Sequence, residues 1–343
     1  MEFDVMTRAD TWENTAKLAR DVESVGISGM LHTEATQVPW MTIAAAAMAA
    51  PALHHCTGIA VAFPRSPMVS AQVAWELAAN TQGKFRLGLG SQVKPHIERR
   101  YGCDFEQPAQ RMRDYVLAVK AALRAFRGEG RLEHEGPFYR LTLLTPQWAP
   151  VRHDYEDIKI DMSAVNPLML KVTGEVADGL HVHPMHSMPY IENRVLPAVT
   201  EGAEKAGRTL DDIDLIVPVL AVAGDTPEER ANMAREAKTA IGFYGATPGY
   251  AFQFDDLGYE GTRMKLAEAL RAGGRDAVAE LVTDELLDQF GLVAKWDDMA
   301  DALIARYKGI ASRVVMYLAK PSIIENPANL AKWGEIAKAV RAA

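Results

Sequence analysis

Short apolar runs alternate with helix-type segments along almost the whole chain. In the helix-type segments apolar residues recur every three or four positions, whereas the runs between them are short and are predicted to be strands. The predicted strands cover residues 3–6, 27–31, 57–63, 85–89, 158–162, 179–182, 214–222 and 313–318. Eight strand–helix units in succession predict a parallel sheet with right-handed crossovers.

The helices between these strands carry clear start and stop signals. The helix over residues 112–126 has the cleanest one-sided apolar pattern, and Gly26 is placed to cap the first helix, predicted over residues 11–26. Three other helices start with a capping residue followed by proline, at Ser66-Pro67, Asn166-Pro167 and Thr226-Pro227. These signals set helix boundaries independently of the strand pattern.

The number of strand–helix units and the chain length together predict the architecture. Eight units in 343 residues favour one α/β domain over residues 1–343, a closed (β/α)₈ or TIM barrel, rather than an open doubly wound sheet. No Gly-x-Gly-x-x-Gly follows the first strand, which also counts against a dinucleotide-binding sheet. We therefore expect the functional site at the carboxyl ends of the strands.

Two segments interrupt the alternation and are predicted to be insertions. Residues 131–150, which contain Gly136-Pro137, are predicted to form a β-hairpin after the fourth helix. Residues 225–312, after the seventh strand, exceed one helix and include six aromatic residues between Phe243 and Tyr259. This helical and aromatic insertion either packs as an extra helical pair or forms an apolar wall or lid over a planar ligand. The sequence leaves both alternatives open.

Composition and charge restrict the class of function. A net charge of −8 and a pI near 5.7 argue against nucleic acid as a partner. The N-terminal segment lacks a secretory signal pattern, and the most apolar stretch, residues 41–53, is too short to cross a membrane. The two cysteines, Cys56 and Cys103, cannot form a disulfide framework. These features predict a cytoplasmic protein.

Polar residues follow several predicted strands and are candidates for chemistry. His32 and Glu34 follow the second strand. Residues 163–166 join the fifth strand to a capped helix, where free backbone N–H groups either hold an anion or are ordinarily capped. Gly88 and Gly90 end the fourth strand where backbone can approach a ligand closely.

Histidines raise the question of a metal site. His181 and His183 are two residues apart and therefore point to the same side of a strand, with His186 nearby. This keeps a metal-dependent hydrolase open as an outside alternative, although no second histidine pair or carboxylate cluster completes a ligand set. His54 and His55 precede the predicted third strand and are expected to be structural. No Gly-x-Ser-x-Gly or P-loop motif supports acyl transfer or nucleotide hydrolysis.

Several fragments in order resemble the luciferase-like monooxygenase superfamily of flavin and deazaflavin oxidoreductases. They are TGIAVAFPRSP at residues 57–67, WELAANTQGKFRLGLGSQ at 75–92, RMRDYVLAVKAALRAF at 111–126 and NPLMLKVTGEVADGLHVHP at 166–184. The segment FRLGLGSQVKPHIERRYG, residues 85–102, is most similar to the branch that uses the deazaflavin coenzyme F420. Other branches of the family use FMN with molecular oxygen.

The resemblance implies a function and a cofactor. It implies an F420-dependent oxidoreductase that transfers a hydride between the deazaflavin and a small, partly apolar organic substrate. The alternatives are an FMN-dependent monooxygenase that uses O₂ and a non-catalytic flavin-binding barrel. The resemblance also implies a homodimer.

The resemblance further implies roles for individual residues. His32 is the expected proton donor, with Glu34 orienting or replacing it, and Gly58-Ile59 is the expected position of a non-prolyl cis peptide behind the flavin ring. The phosphate of the cofactor is expected at Ser163, Ala164, Val165 and Asn166. Other expected cofactor contacts come from Gly90, Ser91 and Gln92 after the fourth strand, Lys94 and His96 near the cofactor tail, and His183 at the pocket rim.

Overall fold

The structure, a computed structural model, describes residues 1–8 and 10–343 and contains a closed barrel of eight parallel strands. The strands are β1 Glu2–Thr7, β2 Gly29–His32, β3 His54–Thr57 with its continuation Ala60–Val61, β4 Phe85–Gly90, β5 Lys159–Ser163, β6 Gly179–His181, β7 Asp214–Val219 and β8 Arg313–Met316. Their order is β3-β2-β1-β8-β7-β6-β5-β4, and pairing of β3 with β4 closes the barrel. The predicted TIM barrel is confirmed.

Helices surround the barrel, and they include those predicted to begin at Pro67, Pro167 and Pro227. They are α1 Trp12–Ser24, α2 Trp40–Ala49, α3 Pro67–Asn80, α4 Lys94–Arg99, α5 Pro108–Phe126, α6 Pro167–Val176, α7 Leu196–Lys205, α8 Pro227–Gly245, α9 Ala251–Asp255, α10 Thr262–Leu281, α11 Asp284–Phe290, α12 Trp296–Tyr307 and α13 Leu330–Ala342. Ser66 and Thr226 cap α3 and α8 through their hydroxyl groups, as predicted. Asn166 occupies the cap position of α6, but its side chain makes no capping hydrogen bond.

Alternation along the strands decides which side chains face the barrel interior. Met6, Leu31, Cys56 and Val315, one from each of four strands, pack in a single buried cluster. Their neighbours of opposite parity, such as Met30, pack outward against the helices. Side chains alternate along a regular strand. A residue two or four positions away from one of these interior residues on the same strand therefore also faces the barrel interior.

Two bidentate ion pairs lie inside the barrel. Arg86 donates to Asp161 at 2.6 and 2.9 Å and also to Asp214, and Arg313 binds Asp4 at 2.6 and 2.8 Å. Gly179 leaves room for the first pair, because a Cβ there would lie 2.4 Å from the Asp161 carboxylate. Each buried charge thus has a partner with matched geometry.

The third strand differs from its prediction over residues 57–63. Regular pairing runs over His54–Thr57, breaks at a cis peptide between Gly58 and Ile59, and resumes over Ala60–Val61. His54 and His55 therefore lie within β3 rather than before it. The histidine pair hides the start of the strand, because imidazoles do not count as apolar in a hydropathy pattern.

Both predicted insertions are present. The hairpin pairs His134–Glu135 with Arg140–Leu141, and the Asp114 carboxylate on α5 accepts hydrogen bonds from its residues His134, Phe138 and Tyr139. After β7, the strand Ala221–Ala223 pairs with Leu292–Ala294, and α8 packs along α10 between them. In the part of the chain that the structure describes, no helix combines the length and apolar character needed to cross a bilayer.

Candidate active site

The carboxyl end of the barrel is ringed by residues that follow the interior ones by two positions. These are Arg8, Thr33, Gly58, Gly90, Ser163, His183 and Tyr317, contributed by seven of the eight strands or their ends. We call this ring the barrel mouth. Gly58, Gly90 and Ser163 form one part of the mouth, the glycine side. Arg8, His183 and Tyr317 belong to the other part, the aromatic side.

The glycine side, formed at β3, β4 and β5, brings backbone to the surface of the mouth. A Cβ on Gly90 would lie 2.6 Å from Ser163 Oγ and 2.7 Å from the Ile59 side chain, so these three residues meet where only glycine fits. Gly58-Ile59 is cis, at the position that the family resemblance implied. Nearby, Thr33 Oγ1 is buried and has no hydrogen-bond partner among the described residues. Backbone and small side chains therefore meet at this side of the mouth, beside one hydroxyl that has no partner.

Glu34 holds the bulge of β3 in place. Its carboxylate accepts hydrogen bonds from the Val61 backbone N–H at 2.8 Å and from both terminal nitrogens of Arg65 at 2.7 and 2.8 Å. The Tyr101 hydroxyl approaches the same carboxylate at 3.4 Å, and the Arg65 guanidinium lies over the Trp40 ring. The carboxylate is buried and fully paired, so its contacts are those of a positioning residue.

The aromatic side of the mouth is a connected cluster. The hydroxyls of Tyr244, on α8, and Tyr317, after β8, lie 2.5 Å apart. The His183 ring contacts Tyr244 at 4.6 Å and Tyr250 at 4.5 Å between centroids, and burial lowers the pKa of His183 to about 4. The insertion after β7 therefore forms one wall of the mouth, which supports the lid interpretation over simple packing.

His32 does not lie where a proton donor to a barrel ligand must lie. Leu31 faces the interior, so the ring of His32 faces outward, where Nε2 is 3.2 Å from His55 Nδ1 and Nδ1 is 3.5 Å from the Thr42 hydroxyl of α2. Burial first, and then the neighbouring His55, hold the pKa of His32 well below its ordinary range. The predicted contact between His32 and Glu34 is also absent among the described residues. The proton-donor role of His32 stays a prediction, and its ring lies outside the barrel interior because strand parity, rather than nearness to the strand end, decides which way a side chain faces.

We expect hydrogen–deuterium exchange at the imidazole carbon of His32 to be at least about tenfold slower than at exposed His96, because His32 stays buried and neutral. Mass spectrometry of the intact protein over pH 5 to 9 measures both rates, and His96 serves as the internal control. Exchange at His32 that is as fast as at His96 and slows when cofactor is added would support the proton-donor assignment.

The other residues that are predicted to contact the cofactor lie close to the glycine side, but they differ in how exposed their side chains are. The Ser163 side chain is half-buried at the mouth, whereas Ala164 is buried in the outer core and Val165 offers its carbonyl to Tyr190. Asn166 is exposed. After β4, Ser91 and Gln92 are half-buried, and Lys94 and His96 are exposed on α4, with the Lys94 ammonium 3.6 Å from Glu98.

The structure also shows residues that sequence reasoning missed. Arg65 and Tyr101 contact Glu34 from 31 and 67 positions away, and Arg8 and Tyr317 meet from opposite ends of the chain. The Arg65-Ser66-Pro67 passage belonged to the family resemblance and was the one available signal. No local pattern marks the others, since each becomes significant only when the barrel closes.

One group of potential metal ligands comes together in residues 1–8 and 10–343, namely Cys56, Asp161 and His181. All three are buried, but Asp161 already binds the Arg86 guanidinium, which would repel a cation. His183 and His186 have separate partners, the Met185 backbone N–H and the Tyr307 hydroxyl. The predicted histidine trio does not converge, and the arrangement does not favour a metal.

A groove of about 780 Å³ lies away from the barrel mouth, beside the inserted hairpin. It is lined by residues from 125 to 149, including Arg131, Glu133 and Leu143, and contains none of the predicted site residues. We therefore place the candidate site at the barrel mouth. The reason is that polar groups converge there, and the volume of the groove does not enter the choice.

The chain is similar in sequence to several known proteins. A family model described as luciferase-like monooxygenase matches residues 1–313. An uncharacterized protein of Mycobacterium tuberculosis is 34% identical over 300 residues, which are 88% of this chain and 88% of that protein. A putative coenzyme F420-dependent oxidoreductase of the same organism is 26% identical over 249 residues, 68% of this chain and 70% of that protein.

Among solved structures, the coenzyme F420-dependent tetrahydromethanopterin reductase from Methanopyrus kandleri has a similar fold. The TM-score is 0.80 at 21% sequence identity, and the match covers 97% of each chain. At that identity the likeness concerns the barrel and its insertions.

Proposed function

Because the chain belongs to the luciferase-like monooxygenase family, we propose that it is an oxidoreductase that uses coenzyme F420 and acts on a small organic substrate. A similar protein of M. tuberculosis carries the description of an F420-dependent oxidoreductase, which supports this choice of cofactor. The observation that carries the proposal is the glycine side of the mouth, where Gly58, Gly90 and Ser163 bring backbone and one small side chain to the carboxyl ends of β3, β4 and β5. FMN is the alternative cofactor, in an oxygen-dependent reaction.

The residues present fit a planar cofactor ring. A Cβ at Gly90 would lie 2.6 Å from Ser163 Oγ and 2.7 Å from the Ile59 side chain, so glycine lets these two side chains pack directly against the end of β4. The unpartnered Thr33 hydroxyl supplies a polar contact at the edge of that surface. We propose that the ring lies against Gly58, Ile59 and Gly90 and that Ser163, Asn166, Ser91 and Gln92 bind its ribityl-phosphate tail, with Lys94 and His96 further out.

When bound, a deazaflavin supplies hydride transfer at one ring carbon. The protein then positions the substrate, excludes water and holds a proton at a defined atom. His183 is the mouth-facing group for that last task. Its Nδ1 lies 3.1 Å from the Met185 N–H and 3.4 Å from the Met185 carbonyl oxygen. The shorter contact favours Nδ1 as the acceptor, which leaves the hydrogen of the neutral ring on Nε2. Glu34 acts indirectly by holding the β3 bulge.

Fluorescence titration of the purified protein with F420 and with FMN tests the cofactor. We expect F420 to bind with a dissociation constant on the order of micromolar and FMN to bind at least about tenfold more weakly. Tight binding of FMN without binding of F420 would overturn the proposal. Tight F420 binding without any redox turnover would instead support a non-catalytic flavin-binding barrel.

The Gly90→Ala variant should bind F420 at least about tenfold more weakly than the wild type, because the new methyl group displaces Ser163 and Ile59 into the mouth. These neighbours are flexible side chains, so we expect the melting temperature to change by only a few degrees. Gly249→Ala is the matched control, since a Cβ there meets nothing within 4 Å. Equal F420 affinity of Gly90→Ala and Gly249→Ala would exclude the glycine surface as the ring site.

We also propose that the protein is a cytoplasmic homodimer. Both cysteines are free, which is compatible with a reducing compartment. Exposed Met41, Met48 and Val69 give α2 and α3 an apolar outer face that a second copy of the chain can cover. Light scattering after gel filtration measures the mass, and a monomer at micromolar concentration would refute this part of the proposal.

A further inference from the structure

The aromatic side of the mouth contains an arginine that has no carboxylate partner. Arg8 follows interior Met6 by two positions, is exposed at the rim, and has its guanidinium carbon 5.8 Å above the Tyr317 ring. Among residues 1–8 and 10–343, no acidic group lies within ion-pair distance of it. Glu236 on α8 is near enough to attract Arg8 without pairing with it. Arg65, by contrast, is saturated by Glu34. Arg8 is therefore a cation with free donor groups at the mouth.

The adjoining phenols leave one hydrogen unused. Two hydroxyls that share a hydrogen bond possess two hydrogens, and only one of them lies between the Tyr244 and Tyr317 oxygens. Burial, and then the nearby Tyr317, raise the pKa of Tyr244 well above its ordinary range, so it stays protonated at neutral pH. The pair can therefore donate one O–H to an acceptor in the mouth.

His183 adds a third donor and part of an apolar wall. Its pKa of about 4 keeps it neutral at pH 7, with a hydrogen on Nε2. The rings of His183, Tyr244 and Tyr250 contact one another and present aromatic surface beside these donors. The cluster thus combines a guanidinium, a phenol and an imidazole N–H with apolar walls, and it contains no anion of its own.

We propose that Arg8, His183, Tyr244 and Tyr317 form a binding site for the carboxylate of an organic acid whose apolar body packs on the Tyr244 and Tyr250 rings. Guanidinium groups bind carboxylates through two parallel hydrogen bonds, and the phenol and imidazole satisfy the remaining lone pairs. The inference rests on the proposed function, since it supplies the second reactant for the same mouth. In the closed barrel β1 and β8 stand opposite β4 and β5, so the carboxylate site faces the proposed cofactor surface.

Isothermal titration calorimetry with small probe acids tests the site without knowledge of the substrate. The probes are acetate and benzoate, each paired with its neutral amide, and each is titrated into the protein with and without F420. We expect both acids to bind at least about tenfold more tightly than their amides, and benzoate more tightly than acetate. A preference below about twofold for both pairs would overturn the proposal.

Variants separate this site from the cofactor site. Arg8→Gln should weaken benzoate binding at least about tenfold and Tyr317→Phe about threefold, while F420 binding in both stays within about twofold of the wild type. Arg140→Gln, on the exposed hairpin, is the matched control. Unchanged benzoate affinity in Arg8→Gln overturns the carboxylate site. Benzoate binding that depends on Arg8, in a protein that binds FMN but no F420, leaves the carboxylate site standing and refutes the proposed cofactor.

Discussion

Asp161→Asn is expected to lower the free energy of unfolding by about 3 to 5 kcal/mol, which is a large share of the stability of a typical domain. The substitution leaves the Arg86 guanidinium inside the barrel without the partner that binds it at 2.6 and 2.9 Å. The side chain of Asp161 is fully buried, and after the substitution Arg86 keeps only its single contact with Asp214. Urea unfolding followed by circular dichroism measures the change.

The same Arg86 provides the control. It also binds Asp214 at 2.8 Å, but that carboxylate is 41% exposed, so Asp214→Asn should lower stability by less than about 1 kcal/mol. Equal losses of unfolding free energy in the two variants would show that the buried Asp161–Arg86 pair contributes no more stability than the exposed Asp214–Arg86 pair.

The pH dependence of stability provides a second readout of the Asp161 pair. Burial alone would raise the pKa of Asp161, but the charge of Arg86 and the contact from His181 outweigh it and lower the pKa well below its ordinary value. The stabilisation is therefore complete above the unfolded-state pKa, about 3.9, and is lost as the pH falls below it towards the folded-state value. We expect Asp161→Asn to show a shallower loss of stability than the wild type as the pH falls from about 4 to 2.

Glu34→Gln is expected to lower stability by about 3 kcal/mol and to weaken F420 binding at least about tenfold. The amide can still accept a hydrogen bond from the Val61 N–H, but it cannot pair with both terminal nitrogens of Arg65. The charge of Arg65 is then left beside the bulge at Gly58-Ile59, and the surface proposed for the cofactor ring loses its support. Thermal melting and fluorescence titration measure the two effects.

An exposed ion pair provides the control for the Glu34→Gln prediction. Glu98→Gln breaks the exposed contact with Lys94 on α4 and should change stability by less than about 1 kcal/mol. The double variant of Glu34→Gln with Arg65→Gln should regain stability because no unpaired charge remains, but it should not regain F420 affinity. Wild-type affinity in Glu34→Gln would mean that the bulge holds its shape without the carboxylate.

Most of the fold was predictable because barrel strands and helices carry local signals. The apolar runs, the capping residues Ser66 and Thr226 and the glycine at position 26 act within a few positions of the elements that they define. The third strand was misplaced because two histidines open it and a cis peptide interrupts it. Neither the histidine pair nor the cis peptide produces a periodic pattern of apolar residues. An error of one residue in the register of a strand exchanges the side chains that face inward with those that face outward.

Residues of the candidate site were predictable only where they lie at the end of a strand, because the end of a strand can be located from the sequence. Gly58, Gly90 and Ser163 were identified from the ends of their strands, and the structure brings them together at the mouth. The position of the His32 ring was not predictable from its nearness to the strand end, since Leu31 takes the interior position and the role of His32 stays a prediction. Arg8, Tyr244 and Tyr317 were not identified as a group, because their meeting depends on closure between β1, β8 and the insertion after β7.

That closure also has a consequence for synthesis of the chain on the ribosome. Asp4 and Arg313 are 309 residues apart, and β1 pairs with β8 along one of its edges. At about 5 to 20 residues per second, roughly 15 to 60 seconds separate translation of the first strand from translation of its last neighbour. During that interval β1 can pair with β2 but not with β8, so one of its edges stays unpaired until the end of the chain is made.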